Sequence, residues 1–248
     1  MFLKFICCDV FTRIACDLVA KSPNIIDLEF VPMLAHVEPD NLRMLIEEKI
    51  SNTTNNQTGR RYDAIILGFG LCGNAIIGLS SPIPMIIPRA HDCCTIFMGS
   101  KERFMQEFNN SFSARWSTTG YFERTGARMS DYSYSDQMEN YKTSREYMSY
   151  LEKYDEETAE YLWETLHPKI ESHESIYINI DGYEYSDSYE KYKAAMERLG
   201  VELRTVEGSI SLLKALVDGD WDEDRFLTVD PGKKVAGIYD LNYVIEAV

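Results

Sequence analysis

The chain has no excess of basic residues. Its 248 residues include 25 lysines and arginines against 40 aspartates and glutamates, which gives a formal net charge of −15 at pH 7. A protein that binds a phosphate backbone or an anionic membrane surface through charge needs clustered positive side chains. The composition therefore argues against a nucleic-acid partner and against attachment to a membrane surface.

The sequence also lacks a long hydrophobic segment and a secretory signal pattern. The longest apolar stretch, residues 64–79, contains four glycines and Asn74 and is shorter than the roughly 20 residues of a spanning helix. The apolar start of the chain is interrupted by Lys4 and Asp9 and has no small-residue cleavage site. We therefore expect a cytoplasmic protein whose cysteines are reduced thiols, metal ligands or core residues.

The six cysteines include no Cys-x-x-Cys pair, and they are unevenly distributed. All six precede residue 95, whereas fifteen of the sixteen tyrosines follow residue 100. This difference indicates that the two parts of the chain were built under different constraints. Any thiol chemistry is expected in the first part.

The hydrophobic pattern predicts an α/β protein, because short apolar runs alternate with helical patterns. The predicted strands are residues 2–8, 25–31, 62–67, 84–88, 175–180, 201–206 and 225–229. We expect two small Rossmann-like lobes with parallel sheets, residues 1–100 and residues 171–248, with a cleft between them. A helical, tyrosine-rich insert at residues 101–170 is expected to join the lobes.

Three cysteines follow predicted strands. Cys8 ends the first strand, Cys72 lies in the turn after the third, and Cys93 follows the fourth. Because loops converge at the carboxyl ends of parallel strands, these thiols are expected to meet at one edge of the sheet. With His91 they predict a tetrahedral zinc site or, with one open iron position, a 4Fe–4S cluster. The alternative is that the cysteines are buried small hydrophobic residues.

The turn after the third strand also matches a dinucleotide-binding fingerprint. Gly68, Gly70 and Gly73 have the spacing Gly-x-Gly-x-x-Gly, and Asn74 begins a short predicted helix. The fingerprint normally follows the first strand of a nucleotide-binding unit, whereas this turn follows the third. Two interpretations stay open: a nicotinamide site, and a turn whose glycines let the backbone approach a metal-bound ligand or phosphate.

Arg89, His91 and Asp92 are the predicted catalytic residues at this edge. Arg89 follows the fourth strand and could pair with a substrate carboxylate or phosphate through two hydrogen bonds. Residues 115–124 mix hydrogen-bond donors with aromatic side chains in a poor helical pattern, which fits a loop over the cleft and equally an ordinary surface loop. His36 has no obvious partner and is assigned no role.

Several stretches of the sequence together point to a known family. They are residues 6–11 (Ile-Cys-Cys-Asp-Val-Phe), 22–24 (Ser-Pro-Asn), 27–30 (Asp-Leu-Glu-Phe), 62–74, 88–93 (Pro-Arg-Ala-His-Asp-Cys) and 97–100 (Phe-Met-Gly-Ser). On these motifs the chain resembles the domain-of-unknown-function family 1638, an uncharacterised prokaryotic family. The resemblance spans most of the chain and is strongest over residues 1–125.

This resemblance implies a ligand set. The family's cysteines fall on Cys8, Cys72 and Cys93, whereas the neighbouring thiols at positions 7 and 94 stand where the family often has Ala and Ile. Asp9 stands where the family is expected to have Glu, so an acid–base role for this carboxylate is not carried over.

The resemblance also implies a metabolic setting. Genes of the family tend to lie beside corrinoid-dependent methyltransferases in anaerobes, which implies one-carbon metabolism and a corrinoid protein or methyltransferase as partner. The His91-x-Cys93 pair is similar to part of the zinc motif of corrinoid-to-thiol methyltransferases, in which zinc activates a thiol.

Taken together, the patterns predict a metal-dependent enzyme or accessory protein that acts on a small anionic or methylated substrate. Two alternatives remain. One is a non-enzymatic protein that binds or delivers a metal, a corrinoid or a small molecule. The other is a nicotinamide-dependent oxidoreductase that uses the glycine-rich turn.

Overall fold

The structure is a computed structural model that describes residues 1–55, 61–108, 115–125, 145–166, 174–184, 187–238 and 243–248. The strands are β1 (Phe2–Cys8), β2 (Ile25–Val31), β3 (Ala64–Gly68), β4 (Met85–Pro88), β5 (Arg115–Ser117), β6 (Glu174–Asn179), β7 (Glu202–Glu207), β8 (Phe226–Val229), β9 (Val235–Gly237) and β10 (Ile245–Ala247). The α-helices are α1 (Thr12–Lys21), α2 (Pro39–Thr54), α3 (Cys93–Met98), α4 (Lys101–Phe108), α5 (Thr119–Thr125), α6 (Arg145–Leu151), α7 (Glu156–Leu166), α8 (Ser188–Leu199) and α9 (Ser211–Asp218). Short 3-10 helices, Asp9–Phe11 and Met33–Val37, follow β1 and β2. Over these described ranges, no helix combines the length and apolar character that crossing a membrane requires.

The larger sheet has the strand order β2-β1-β3-β4-β8. Its first four strands are parallel, and β8 pairs antiparallel with β4. Every residue of β3 and β4 is buried, and their sequences are continuous apolar runs, as expected of parallel strands covered on both faces. Helix α2 packs against β1 and β2, and α9 packs against β3 and β4.

The smaller sheet has the order β5-β6-β7, and its strands are also parallel. Helix α8 connects β6 to β7, and its Tyr192 and Met196 are buried beside Tyr177 of β6. Ile176 and Ile178 of β6 belong to the same buried cluster as the residues of the larger sheet. The two sheets therefore share one hydrophobic core.

The prediction of a Rossmann-like α/β fold with parallel sheets is confirmed, but the placement of the last strand is wrong. The sequence pattern assigns residues 225–229 to the C-terminal lobe, whereas β8 lies in the larger sheet beside β4. Strand β4 presents unpaired backbone groups at the end of the parallel set, and an antiparallel neighbour satisfies them without a crossover helix. Strand β5 lies inside the predicted helical insert, but it pairs with β6 in the smaller sheet.

Helix α5 is held tightly against the segment that follows β1. A Cβ atom at Gly120 would lie 2.0 Å from the carbonyl oxygen of Val10. The guanidinium of Arg13 donates from both Nε and Nη2 to the carboxylate of Glu123, with Nη2 2.7 Å from Oε1. The close backbone approach and the paired hydrogen bonds fix α5 at this edge of the larger sheet.

Gly120→Ala is expected to lower the free energy of unfolding by about 3 kcal/mol, because the added methyl group forces α5 away from Val10. Gly182→Ala is the matched control. Its position has φ +81° and no neighbour within 4 Å of the added Cβ, so only the left-handed backbone costs about 1 kcal/mol. Urea unfolding followed by circular dichroism measures both values, and equal losses would contradict the prediction.

Candidate functional site

The topology places the three predicted thiols at the carboxyl edge of the larger sheet. Cys8 is the last residue of β1, and Cys7 pairs with Gly68, so β1 and β3 end side by side. Cys72 lies in the turn after β3, and Cys93 is the first residue of α3, which follows β4. Cysteines distant in the sequence therefore lie at the same edge of the sheet.

The thiols are close enough to influence each other's ionisation. Burial raises the pKa of Cys93 well above the usual thiol value, and negative charge on Asp92, Cys72 and Cys8 raises it further. Burial also raises the pKa of Cys8, with a contribution from Cys72. The pKa of Cys72 is raised to about 12 by burial and by Asp92. Cys8, Cys72 and Cys93 therefore lie within electrostatic reach of one another, and they are here called the thiol cluster.

Backbone contacts set the distance between the turn after β3 and the loop after β4. The N–H of Leu71 donates to the carbonyl of Ala90 at 2.8 Å, and the N–H of Cys72 donates to the carbonyl of His91 at 2.9 Å. A Cβ atom at Gly70 would lie 2.8 Å from the carbonyl oxygen of Ala90. Glycine is therefore required at position 70 for the two loops to approach this closely.

The glycine-rich turn does not have the geometry of a dinucleotide site. Between β3 and β4, a stretch that the structure describes completely, the chain forms turns and no helix, so the helix predicted from Asn74 is wrong. Gly73 and Gly78 have φ +65° and +88°, which are not helical backbone angles. Arg43 donates to the carbonyl of Asn74 at 2.9 Å and stabilises this turn conformation. A dinucleotide pyrophosphate sits on a helix N-terminus, so the nicotinamide alternative loses its main support.

Asp92 and His91 lie beside the thiol cluster. The Oδ1 atom of Asp92 caps α3 by accepting hydrogen bonds from the N–H and the hydroxyl of Thr95, at 2.9 and 3.1 Å. Burial raises the pKa of Asp92, and these hydrogen bonds and the charge of His91 act in the opposite direction. The cap gives Asp92 a structural role, and the catalytic roles of both residues stay predictions.

Arg89 makes its contacts with the C-terminal part of the chain. Its Nε donates to the carbonyl of Glu223 at 2.8 Å, and its Nη1 donates to the carbonyls of Tyr243 and Ile245. The guanidinium also lies over the Tyr243 ring, 5.0 Å from the centroid, and lines a surface cavity of about 320 Å³. These contacts tie the chain end to the sheet, and a role of Arg89 in substrate binding stays a prediction.

Tyr121 is a site residue that the sequence did not single out. Residues 115–124 form β5 and most of α5, and the Tyr121 ring packs against Trp116 with 4.8 Å between centroids. Burial raises the pKa of Tyr121, and the three thiols and Asp92 raise it further. The Tyr121 phenol therefore lies within electrostatic reach of the thiol cluster. The mixture of hydrogen-bond donors and aromatic residues at positions 115–124 was the sequence signal that could have identified Tyr121.

Arg124 brings positive charge to the same edge. Its Nε donates to the carbonyl of Asp9 at 3.0 Å, and its Nη2 donates to the hydroxyl of Thr12 at 2.7 Å. Its charge lowers the pKa of Cys8, against the larger effect of burial. The guanidinium therefore favours the thiolate form of at least one cysteine of the cluster.

His36 is the second residue that sequence reasoning passed over. It lies in the 3-10 helix after β2, where its Nδ1 is 2.8 Å from the carbonyl oxygen of Met33. Its ring stacks on Phe69 with 6.2 Å between centroids, and its Nε2 is buried without a hydrogen-bond partner among the described residues. A lone histidine after a strand carries no sequence signal for this arrangement.

The donor atoms fit a thiolate-binding metal, but they do not stand in coordination geometry. In the parts of the chain that the structure describes, no three His, Cys, Asp or Glu side chains are grouped closely enough to hold a metal ion as they stand. Cysteine thiols are nevertheless the donors that zinc and iron–sulfur centres use. Binding would therefore require the side chains to turn toward a common point.

Comparison with known proteins identifies a family without a known activity. The model of the family described as "Protein of unknown function (DUF1638)" matches residues 30–217, about three quarters of the chain. The match includes Cys72, Cys93, Tyr121 and His36 and begins after Cys8. No curated protein and no solved structure matches the chain.

Removal of one buried thiol is expected to change the alkaline stability of the metal-free protein. Because the pKa of Cys93 is higher in the folded chain, the folded chain keeps a proton that the unfolded chain loses above about pH 8.5, and stability falls as pH rises. Cys93→Ala should lessen this fall by about 1.4 kcal/mol per pH unit between about pH 9 and 10.5. Urea unfolding at each pH measures the slope. The exposed Cys16 provides the control Cys16→Ala, which should keep the original slope, and an unchanged slope in Cys93→Ala would contradict the prediction.

Proposed function

The chain belongs to the family of proteins of unknown function DUF1638, and we propose that it is a metal-dependent protein whose thiol cluster holds a zinc ion or a 4Fe–4S cluster. In this proposal the metal centre lies at the carboxyl edge of the larger sheet, where ligands of open α/β sheets bind. Its substrate is a small anionic or methylated molecule. The family match carries no activity, so the proposal is argued from the site.

The observation that carries the proposal is the electrostatic effect of these thiols on one another's pKa values. Each of Cys8, Cys72 and Cys93 has a raised pKa, and part of the increase for Cys8 and Cys93 comes from the other thiols. Thiols grouped in this way repel each other as thiolates unless a cation lies between them. A metal ion removes the thiol protons, and soft sulfur ligands select zinc or iron–sulfur centres over magnesium or calcium.

The charges around the cluster support the same proposal. Three thiolates and a divalent ion leave one net negative charge, and the Arg124 guanidinium lies where it already favours the thiolate of Cys8. Arg124 is fixed by its hydrogen bonds to the Asp9 carbonyl and the Thr12 hydroxyl, so its position does not depend on the metal. The protein therefore supplies part of the charge compensation before a metal binds.

A bound metal would polarise an anionic substrate or activate a thiol or water at this edge. The chain's own contribution is to orient and protonate the substrate. Burial and the nearby thiols raise the pKa of Tyr121, so the phenol keeps its proton at neutral pH and can donate a hydrogen bond to an anion. His91 and Asp92 lie beside the cluster as further groups that could hold or move a proton.

The link to methyl transfer rests on the family resemblance. It supports a role in corrinoid-linked one-carbon metabolism, either as an enzyme or as an accessory protein that works with a corrinoid protein or methyltransferase. Zinc held by thiolates suits methyl transfer, because it can keep a substrate thiol in its nucleophilic thiolate form at neutral pH.

Metal analysis of protein purified without oxygen tests the proposal. We expect about one zinc ion per chain, or the brown absorption of an iron–sulfur cluster with about four irons. Cys72→Ser and Cys93→Ser should each retain less than about a tenth of the metal. Cys16→Ser, at an exposed thiol, is the matched control and should keep all of it. Wild-type protein that holds neither metal, and takes up none when reconstituted, would refute the proposal.

A further inference from the structure

A surface cavity of about 320 Å³ lies beside the carboxyl end of β4, and the proposed metal centre does not use it. Among its lining residues, Arg89 directly follows β4, Arg225 directly precedes β8, and Lys101 begins α4. None of the three thiols is among the described residues that line it. The volume falls in the range of small-molecule sites, roughly 300 to 1,000 Å³. The cavity is therefore large enough for a ligand of its own.

The cavity is lined by more positive than negative side chains. Arg89, Lys101 and Arg225 are cationic, in a chain whose net charge is −15. The carboxylates among the lining residues are those of Glu102 and Asp224. Hydrogen bonds from its own backbone N–H and from a neighbouring serine hydroxyl lower the pKa of Glu102, so this carboxylate already has partners, and Asp224 is exposed to solvent. The lining therefore favours an anionic ligand over a cationic one.

The charge of Arg89 is held in place without being neutralised. Its Nε atom donates to the carbonyl of Glu223, and its Nη1 atom donates to the carbonyls of Tyr243 and Ile245. Carbonyl groups are neutral, and within the described part of the chain the guanidinium forms no ion pair with a carboxylate. The Nη2 atom has no acceptor among the described residues, which leaves two N–H donors for a ligand.

A second guanidinium on the same cavity provides the contrast. Arg225 pairs with Asp220 and Asp222, with its Nη2 2.9 Å from Oδ2 of Asp220. Burial lowers the pKa of Arg225, but the two carboxylates outweigh burial and the net shift is upward. Burial also lowers the pKa of Arg89, and the neighbouring groups do not reverse this change. A partly buried charge is costly unless it is paired, so an anion in the cavity would stabilise Arg89.

We propose that this cavity binds a small organic molecule through an oxyanion group, either a phosphate ester or a carboxylate. The oxyanion accepts hydrogen bonds from Arg89 Nη2 and from the Lys101 ammonium, the two kinds of cation that bind such groups in proteins. The organic part packs on Leu212 and on the Tyr243 ring, which is 46% exposed. Because the backbone carbonyls already fix Arg89, binding costs little ordering of this side chain. The inference goes beyond the proposed function and does not require a metal.

Calorimetric titration of the intact chain with phenyl phosphate and with benzoate tests the inference. We expect at least one of these anions to bind, as one molecule per chain and more weakly as salt is added. Lys101→Glu should weaken this binding by at least about 10-fold, because it replaces a charge-assisted hydrogen bond with repulsion. Lys191→Glu is the matched control. It makes the same change of net charge on α8, where Lys191 pairs with Asp187 and does not line the cavity, and it should keep the wild-type affinity.

A measurement on the wild-type chain needs no variant. In protein labelled with nitrogen-15, the backbone amide signals of Ser100 and Lys101 should shift and saturate together with the calorimetric curve. Binding of phenyl phosphate alone would identify the ligand class as a phosphate ester, and binding of benzoate alone as a carboxylate. Failure of both anions to bind, unshifted amide signals, or full affinity in Lys101→Glu would overturn the inference and leave the proposed metal centre standing. Protein that binds an anion in this cavity but takes up no metal would instead refute the proposed function alone.

Discussion

The close approach of two loops is the constraint on which the candidate site depends. A parallel sheet brings the ends of β1, β3 and β4 to one edge, but adjacent strands alone do not bring their loops into contact. The hydrogen bonds from Leu71 and Cys72 to the loop after β4 close that gap, and Gly70 allows them to form. A side chain at position 70 would collide with the backbone of Ala90 and Asp92 and force the two loops apart.

Helix α5, which is distant from the thiols in the sequence, contributes further residues to the site. Helix α5 lies against the residues after β1, with Gly120 packed on the Val10 carbonyl and Glu123 paired with Arg13. This placement brings a phenol and a guanidinium to thiols that otherwise have mostly apolar and acidic neighbours. Since β5 directly precedes α5 and pairs with β6, the smaller sheet helps to position Tyr121 and Arg124 of α5.

Those parts of the fold that rest on local pattern were predictable from the sequence. The apolar runs at residues 2–8 and 25–31 are strands β1 and β2. The predictions failed where contacts between residues far apart in the sequence determine the structure. Residues 225–229 have the pattern of a strand, but nothing in that pattern says that they complete the larger sheet. The helix expected from Asn74 fails because the positive φ angles of the turn and the hydrogen bond from Arg43 hold it in another shape.

The site residues also divide into those that the sequence pattern predicts and those that only tertiary contacts reveal. Cys8, Cys72 and Cys93 could be grouped from the sequence, because strand order alone determines which edge they share. Tyr121 and His36 could not, since a tyrosine on a short helix and a histidine after a strand look ordinary until tertiary contacts place them. The position of Arg89 after β4 predicts a substrate-binding residue, whereas its guanidinium donates to the backbone carbonyls of Glu223 and Tyr243.

Because β8 belongs to the larger sheet, the segment that forms the smaller sheet is inserted in the sequence between β4 and β8. The polypeptide leaves the larger sheet after β4, forms the whole of the smaller sheet, and returns through α9 to add β8. A fragment that stops near residue 100 would keep all six cysteines and yet leave one side of β4 without its neighbour and the core without Leu212, Leu216 and Phe226. Truncation is therefore a poor way to isolate the cysteine-bearing half, and its thiols are best studied in the intact chain.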